Sequence, residues 1–335
     1  MNSIHNINID NHSKYYECHE NDSVLDAGLR KGLSMFYRCD NGNCGTCSAK
    51  LIRGKINKLK HHDYVLSTKQ KANNEFLMCC NSPATDLNIE VELIGDVKSI
   101  NTQDIETKVK SIVFVGDNLC ILTLRTPRSK SLQFMAGQDV ELSFFGKSSR
   151  YPIASCPCHG LELEFHIRNS VNDSFAVEIF NDSIKIKSLI ELEGPKGVFV
   201  LKESSLRPML FIAWDIGFAP IRSLIEHSFS LEMTNPINFY WSYPENDERP
   251  YLDNHAKSWH VIIDKYSYTS IPYKSHSNKD IQFKNISYSI FDALDMSVVI
   301  NSEVYVSAPP EVLIYLGEML LENGLNEDQL IASPV

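Results

Sequence analysis

Four cysteines constrain this chain more than any other feature. Cys39, Cys44 and Cys47 follow a C-x4-C-x2-C spacing, and a further thiol comes much later, at Cys79 or Cys80. Two irons bridged by sulfides need four thiolates. Three from one short loop and one from a distant element is the spacing of a [2Fe–2S] cluster. The loop residues Gly42, Gly45 and Thr46 are small, so backbone N–H groups can approach the cluster sulfurs and tune them. Zinc prefers paired short-spaced ligands, and only one CxxC is present here. The nine cysteines are odd in number and clustered. That argues against a secreted disulfide scaffold and for a cytosolic metal or redox site.

Residues 1–98 resemble a plant-type ferredoxin module, which implies a β-grasp fold. In that family the last ligand precedes a proline and a closing strand. Pro83 and the alternating run 86–93, with Leu87, Ile89, Val91 and Leu93, therefore imply Cys79 as the fourth ligand. The run Ile4–Ile9 alternates as a strand, and Ser23 is placed to cap a helix whose apolar face is Val24, Leu25, Ala27, Gly28 and Leu29. Cys18 falls in the second strand, away from the loop, and reads as structural.

The length of 335 residues allows two or three domains. Residues 1–98 carry no net charge, residues 99–203 carry −1, and residues 204–335 carry −9, adding to the −10 of the chain. This balance argues against non-specific nucleic-acid binding, and no apolar run is long enough for a membrane span. Within the neutral first third, Lys50, Arg53, Lys55, Lys58, Lys60, Lys69 and Lys71 face only one acid, Asp63. A stretch of this kind is either a solvated face or a docking patch for an acidic partner.

The polar segment 98–106 reads as a linker. Short alternating strands are expected at 108–115, 119–125, 139–145, 161–167 and 185–192, which suggests an antiparallel barrel. Within it, Arg150-Tyr151-Pro152-Ile153-Ala154-Ser155 resembles the flavin motif of the ferredoxin reductase superfamily. The resemblance implies an antiparallel flavin-binding β-barrel over residues 99–203, with Tyr151 stacked on the FAD ring, Arg150 on phosphate, and Pro152 and Ser155 close by. His166, Ile167 and Arg168 resemble the strand that runs along the flavin. Arg150 comes one place late, Pro152 replaces a hydroxyl residue, and Asp173 falls near where an anion should lie.

Residues 204–335 resemble the parallel-sheet nucleotide-binding domain of the same reductases. The run 208–213 is a buried strand, followed by Trp214-Asp215-Ile216-Gly217-Phe218-Ala219-Pro220 and a helix over 221–229. In the family this turn holds the NAD(P)H diphosphate. Gly217 and Pro220 are kept. Trp214 and Asp215 replace small residues, so that an indole fills the approach and an open carboxylate repels the diphosphate, and Ser307-Ala308 replaces the Cys-Gly that faces the nicotinamide. These departures predict poor NAD(P)H binding.

The order ferredoxin, flavin barrel, nucleotide domain resembles the reductase components of bacterial oxygenases. It implies a cytoplasmic iron–sulfur flavoprotein oxidoreductase that passes electrons between a two-electron donor, FAD and the cluster to a protein acceptor, such as an oxygenase or another redox protein. Two alternatives are a subunit that exchanges electrons with a protein and does not use NAD(P)H, and a cluster-only structural or sensor protein.

Overall fold

The computed structural model describes residues 3–37, 42–43, 45–61, 65–93, 97, 100–127, 130–274 and 276–335. Among these, three main sheets follow one another along the chain, with a two-stranded ribbon beside the first.

The first sheet is built from β1 (Ile4–Ile9), β2 (Lys14–His19), β3 (Ser48–Arg53), β5 (Glu75–Leu77) and β7 (Leu87–Glu90). Its order is β2-β1-β7-β3-β5, and β4 (Ile56–Lys58) pairs with β6 (Asn81–Pro83) as the ribbon. Alternation puts Ile7, Ile9, Tyr16 and Cys18 inside. Helix α1 (Val24–Arg30) packs on this face, and a short α2 (Thr68–Ala72) precedes β5. Ser23 caps α1 by accepting the Asp26 N–H, an interaction worth about 1 kcal/mol. The closing strand is shorter than the sequence pattern suggests: it covers 87–90, and Leu93 makes only an isolated bridge to Met35.

The second sheet has six antiparallel strands in the order β11-β10-β13-β8-β9-β12. They are β8 (Gln103–Val115), β9 (Leu119–Arg125), β10 (Asp139–Phe144), β11 (Lys147–Pro152), β12 (Glu162–Arg168) and β13 (Leu189–Lys196), with helix α3 (Ser174–Phe180) between the last two. The sheet curls until its edges meet, where the Ala154 N–H donates to the Glu164 carbonyl at 2.8 Å. Two sequence expectations are corrected. Residues 103–106 are not linker, because Ile105 and Thr107 point inward and this stretch pairs with Glu191–Gly194. The last strand begins at Leu189, not 185, because Lys185–Ser188 forms a turn with Lys187 at φ 75°.

The third sheet is wholly parallel, in the order β16-β15-β14-β17-β18. Its elements are β14 (Met209–Trp214), α4 (Phe218–Ser230), β15 (Ile237–Pro244), α5 (Asp253–Ser258), β16 (Tyr266–Tyr273), α6 (Lys279–Ala293), α7 (Met296–Val299), β17 (Glu303–Ala308), α8 (Pro310–Glu322) and β18 (Leu330–Pro334). Helix α4 covers one face and helices α6 and α8 the other. Numbered from β14, the strand order reverses between β14 and β17, the switch point at which doubly wound sheets bind ligands. Trp214, Gly217 and Ser307 lie at that point. Helix α4 starts at Phe218, ahead of the expected 221, because Ala219 and Pro220 pack into its first turn. Among the described residues no helix is long and apolar enough to cross a membrane.

Candidate functional site

Cys39 and Cys44 lie outside the described residues, so the structure speaks for the other half of the thiol set. Cys79 is buried in a single turn, Met78–Cys80, between β5 and β6. Cys47, the Cys80 thiol and the Gly42 backbone N–H all hydrogen-bond to its sulfur, and the Cys79–Cys80 Sγ distance is 3.5 Å. The Cys47 contact is the largest influence. Against the opposing effect of burial, and with help from the Lys60 charge, it brings the Cys79 thiol down to about 7. Thiolates are the ligand form, so this donor set fits an iron–sulfur cluster. Gly42 adopts φ 79°, a left-handed conformation that a side chain would strain, and this turns its N–H onto the sulfur. Cys18, by contrast, is raised by burial to about 11 and serves packing.

All seven basic residues between Lys50 and Lys71 are exposed. The ribbon that carries Lys55 and Lys58 is tied to the thiol turn, since the Leu59 and Lys60 N–H groups both donate to the Cys80 carbonyl. The Lys60 charge therefore lies near Cys79, with Lys55 and Lys58 on the adjoining segment.

On the barrel, the expected flavin residues are engaged with one another. Arg150 makes a two-pronged pair with Asp139. The Tyr151 hydroxyl donates to Asp173 Oδ2 at 2.5 Å, while Asp173 Oδ1 accepts from Ser149 and from the Phe175 and Ala176 N–H groups. Those two amides are held by the protein's own carboxylate. A flavin diphosphate could use them only if Asp173 turned away. Pro152 ends β11, half-buried, and Ile167 is wholly in the core. The buried Ser155 hydroxyl accepts the Glu164 N–H, and its carbonyl accepts the Ser223 hydroxyl on α4, linking barrel to nucleotide domain.

His166 is buried between Glu164, at 3.0 Å from Nε2, and the Tyr251 hydroxyl, at 2.7 Å from Nδ1. Burial holds its pKa below the ordinary imidazole value. We therefore assign a neutral ring whose Nε2–H donates to Glu164 while Nδ1 accepts from Tyr251. Burial opposes ionisation of Glu164, but His166 and Arg222 outweigh it and bring the carboxyl to about 2. A His whose folded pKa is lowered binds fewer protons folded than unfolded. Stability is then fully present above the unfolded value of ~6.5 and is lost as pH falls below it. Between pH 7.5 and 5.5 Glu164 stays ionised in both states and contributes no slope. The urea midpoint is expected to fall across this range, and His166→Gln to remove much of the fall. An unchanged slope in the variant would show that other groups cause it.

Arg168 does not run free along the barrel. It makes a two-pronged pair with Asp215, at 2.6 and 2.7 Å, and reaches Asp247 at 3.2 Å. The sequence expectation took Asp215 as an open negative charge. The structure corrects this: the carboxylate is buried and neutralised, so any obstacle to a dinucleotide is the closed pair rather than bare repulsion. Asp215 stands at φ 46°, where the family's small residues cost least. Its carbonyl accepts the Trp241 indole N–H. Trp214 stacks on Tyr273 with ring centres 5.9 Å apart. A Cβ on Gly217 would come within 2.2 Å of the Ser307 carbonyl, so that glycine is needed for turn and strand to touch. Pro220 is buried in α4.

Several partners carried little sequence signal. Tyr251, Arg222, Asp139 and Asp247 reach these sites only through tertiary packing. The pair Cys156 and Cys158 could have been noticed from its spacing.

Comparison with known proteins agrees with this layout. Residues 7–85 match the 2Fe-2S iron-sulfur cluster binding domain. A CDP-6-deoxy-L-threo-D-glycero-4-hexulose-3-dehydrase reductase of Yersinia pseudotuberculosis is 31% identical over 239 residues, 71% of either chain. The reductase component of a propane 2-monooxygenase from Rhodococcus jostii is 25% identical over 97% of this chain and 90% of its own. Among solved structures, a ferredoxin reductase in carbazole 1,9a-dioxygenase aligns over 100% of this chain and 99% of its own, with a TM-score of 0.58 at 21% identity. With a cluster-binding domain leading a curled barrel and a parallel nucleotide-type sheet, the chain belongs to the family of oxidoreductases that join a [2Fe–2S] ferredoxin module to a ferredoxin–NADP reductase-like flavoprotein.

Proposed function

We propose that this chain is the electron-transfer component of a larger redox system. In this reading Cys39, Cys44, Cys47 and Cys79 hold the cluster, and a partner protein exchanges electrons at the basic face beside it. The observation that carries the reading is the Cys79 turn, with a depressed thiol, the Cys47 sulfur, a glycine N–H and the Lys60 charge converging on one atom. When bound, the cluster supplies one-electron steps and a flavin would link these to two-electron donors. The chain's own part is to hold the thiolates, keep them from water and steer the partner. The names of the Yersinia and Rhodococcus relatives each pair a reductase with another enzyme, which supports a protein acceptor here. The cytoplasm suits a site built on reduced thiols.

For the flavin, Tyr151, Ser155 and the barrel edge are the residues that would meet the ring, with FAD entering as Asp173 withdraws from the Phe175 and Ala176 amides. For the nucleotide, the Arg168–Asp215 pair and the Trp214–Tyr273 stack favour a domain that takes NAD(P)H poorly, so that a protein is the main electron source or sink.

Docking is tested by charge reversal. Changing Lys55, Lys58 and Lys60 to Glu is expected to slow electron exchange with the native partner by ten- to a hundredfold at low salt. The difference should shrink as salt shortens the screening length to ~8 Å or less. Equal rates for wild type and variant at every ionic strength would remove this face from the reaction.

A further inference from the structure

A second sulfur site lies at the seam between the ferredoxin module and the two domains behind it. Cys156 and Cys158 flank Pro157 just after the barrel edge and are joined as a disulfide, with Cα atoms 5.2 Å apart. Helix α1 touches the Met78–Cys80 turn and also touches the Pro157–His159 turn that carries Cys158. One helix therefore bridges the proposed cluster ligand and the disulfide. A bridge that spans a single residue closes the smallest of loops and constrains the unfolded chain least, so stabilisation is a poor explanation for it.

The two sulfurs differ in access. Cys156 is buried, 1% exposed. Cys158 is partly exposed and lines a crevice with Leu33, Ser34 and Tyr37 of the ferredoxin module and His227 of α4. Behind the bridge, His227 Nδ1 lies 3.8 Å from Cys156 Sγ, and its Nε2 lies 3.9 Å from Glu203 Oε1. The Ser230 hydroxyl donates to Cys158 Sγ at 3.2 Å, and the Cys158 N–H donates to Cys156 Sγ at 3.3 Å. A partly exposed cysteine is thus paired with a buried one that has an imidazole and a backbone N–H beside it, and a carboxylate at the far nitrogen of that ring.

We propose that Cys156 and Cys158 form a dithiol–disulfide couple, a further redox site that exchanges with small thiols of the glutathione class. An external thiolate attacks Cys158 Sγ from the exposed side of that residue. A new S–S bond forms to Cys158 as the Cys156–Cys158 bond breaks, and the electron pair leaves on Cys156 Sγ. The imidazole of His227 gives that sulfur a proton, with Glu203 Oε1 facing its other nitrogen, Nε2. A second external thiolate attacks the external sulfur of the mixed disulfide and departs as the external disulfide, and Cys158 takes a proton from water. Overall the protein bridge gains two electrons and two protons, and two external thiols become one external disulfide. Nothing in these steps draws on the cluster, a flavin or a nucleotide, so the site stands or falls separately from the proposed function.

The test uses the full chain with its cluster, equilibrated anaerobically in glutathione and glutathione disulfide at a series of ratios, quenched with acid, alkylated and read by mass spectrometry. The expected result is one transition in which Cys156 and Cys158 become alkylated together while the cluster absorbance stays constant. Under reduced glutathione, His227→Gln should slow opening by about a hundredfold. In glutathione disulfide, Cys156→Ser should capture one glutathione on Cys158 as a second glutathione leaves as thiolate, whereas Cys158→Ser should leave Cys156 unmodified over the same time. The proposal is overturned if the wild-type bridge persists in the folded protein under excess glutathione, if both residues remain thiols at every ratio, or if the two serine variants capture glutathione equally fast.

Discussion

Replacing Cys79 by Ser is expected to abolish or severely deplete the visible absorbance and EPR signal of the cluster, whereas Cys80→Ser should leave both in place. The two cysteines are adjacent and both buried, so burial does not separate them. The groups aimed at Cys79 make it the proposed ligand. Cys79 gathers the Cys47 sulfur, the Gly42 N–H and the Lys60 charge, which together lower its thiol against the cost of burial. A serine oxygen at that position is a harder, less acidic donor than a thiolate. The Cys80 carbonyl, in contrast, organises the basic ribbon through Leu59 and Lys60, a role that serine retains. Loss of the signal in Cys80→Ser alone would reverse the assignment.

The second large effect concerns the turn after β14. The double change Trp214→Gly and Asp215→Gly is expected to raise affinity for NADH or NADPH by at least about tenfold, or ~1.4 kcal/mol. Glycine suits position 215 because the backbone there is left-handed, at φ 46°. Removing the carboxylate also frees Arg168 from its two-pronged pair, and a guanidinium fork is well shaped for phosphate. Removing the indole from Tyr273 opens the switch point between β14 and β17. Titration calorimetry reads this binding without requiring a flavin. No gain in affinity would mean that neither side chain is what limits nucleotide entry.

The parts legible in the sequence were those set by local rules. Thiol spacing pointed to a [2Fe–2S] module, in line with the family match over residues 7–85, alternation placed β1, β9 and β10, and Ser23 announced the start of α1. The continuous apolar run 208–213 announced the central strand of the parallel sheet. What was not legible depended on pairing at a distance. The residues 103–106 look polar in isolation and become strand because β13 lies beside them. Asp215 read as a bare charge because its partner, Arg168, comes 47 residues earlier. Asp173 read as an anion near a phosphate site, but that it shares Tyr151, Ser149 and two backbone amides emerges only once β11 and α3 are packed together. His166 matched a family strand by position, while the hydroxyl that meets its Nδ1 comes from Tyr251, 85 residues on.

Where electrons enter and leave this chain decides between a nucleotide-driven and a partner-driven protein. The most direct measurement is anaerobic rapid mixing of the wild-type protein, supplied with FAD, against NADH and then NADPH, following flavin and cluster bleaching, with the reduced native partner as the comparison. The account predicts slow, weakly saturating bleaching with either nucleotide and fast exchange with the partner that weakens as salt rises. Fast, saturable bleaching at micromolar NADH or NADPH would contradict it and make this chain an ordinary nucleotide-driven reductase.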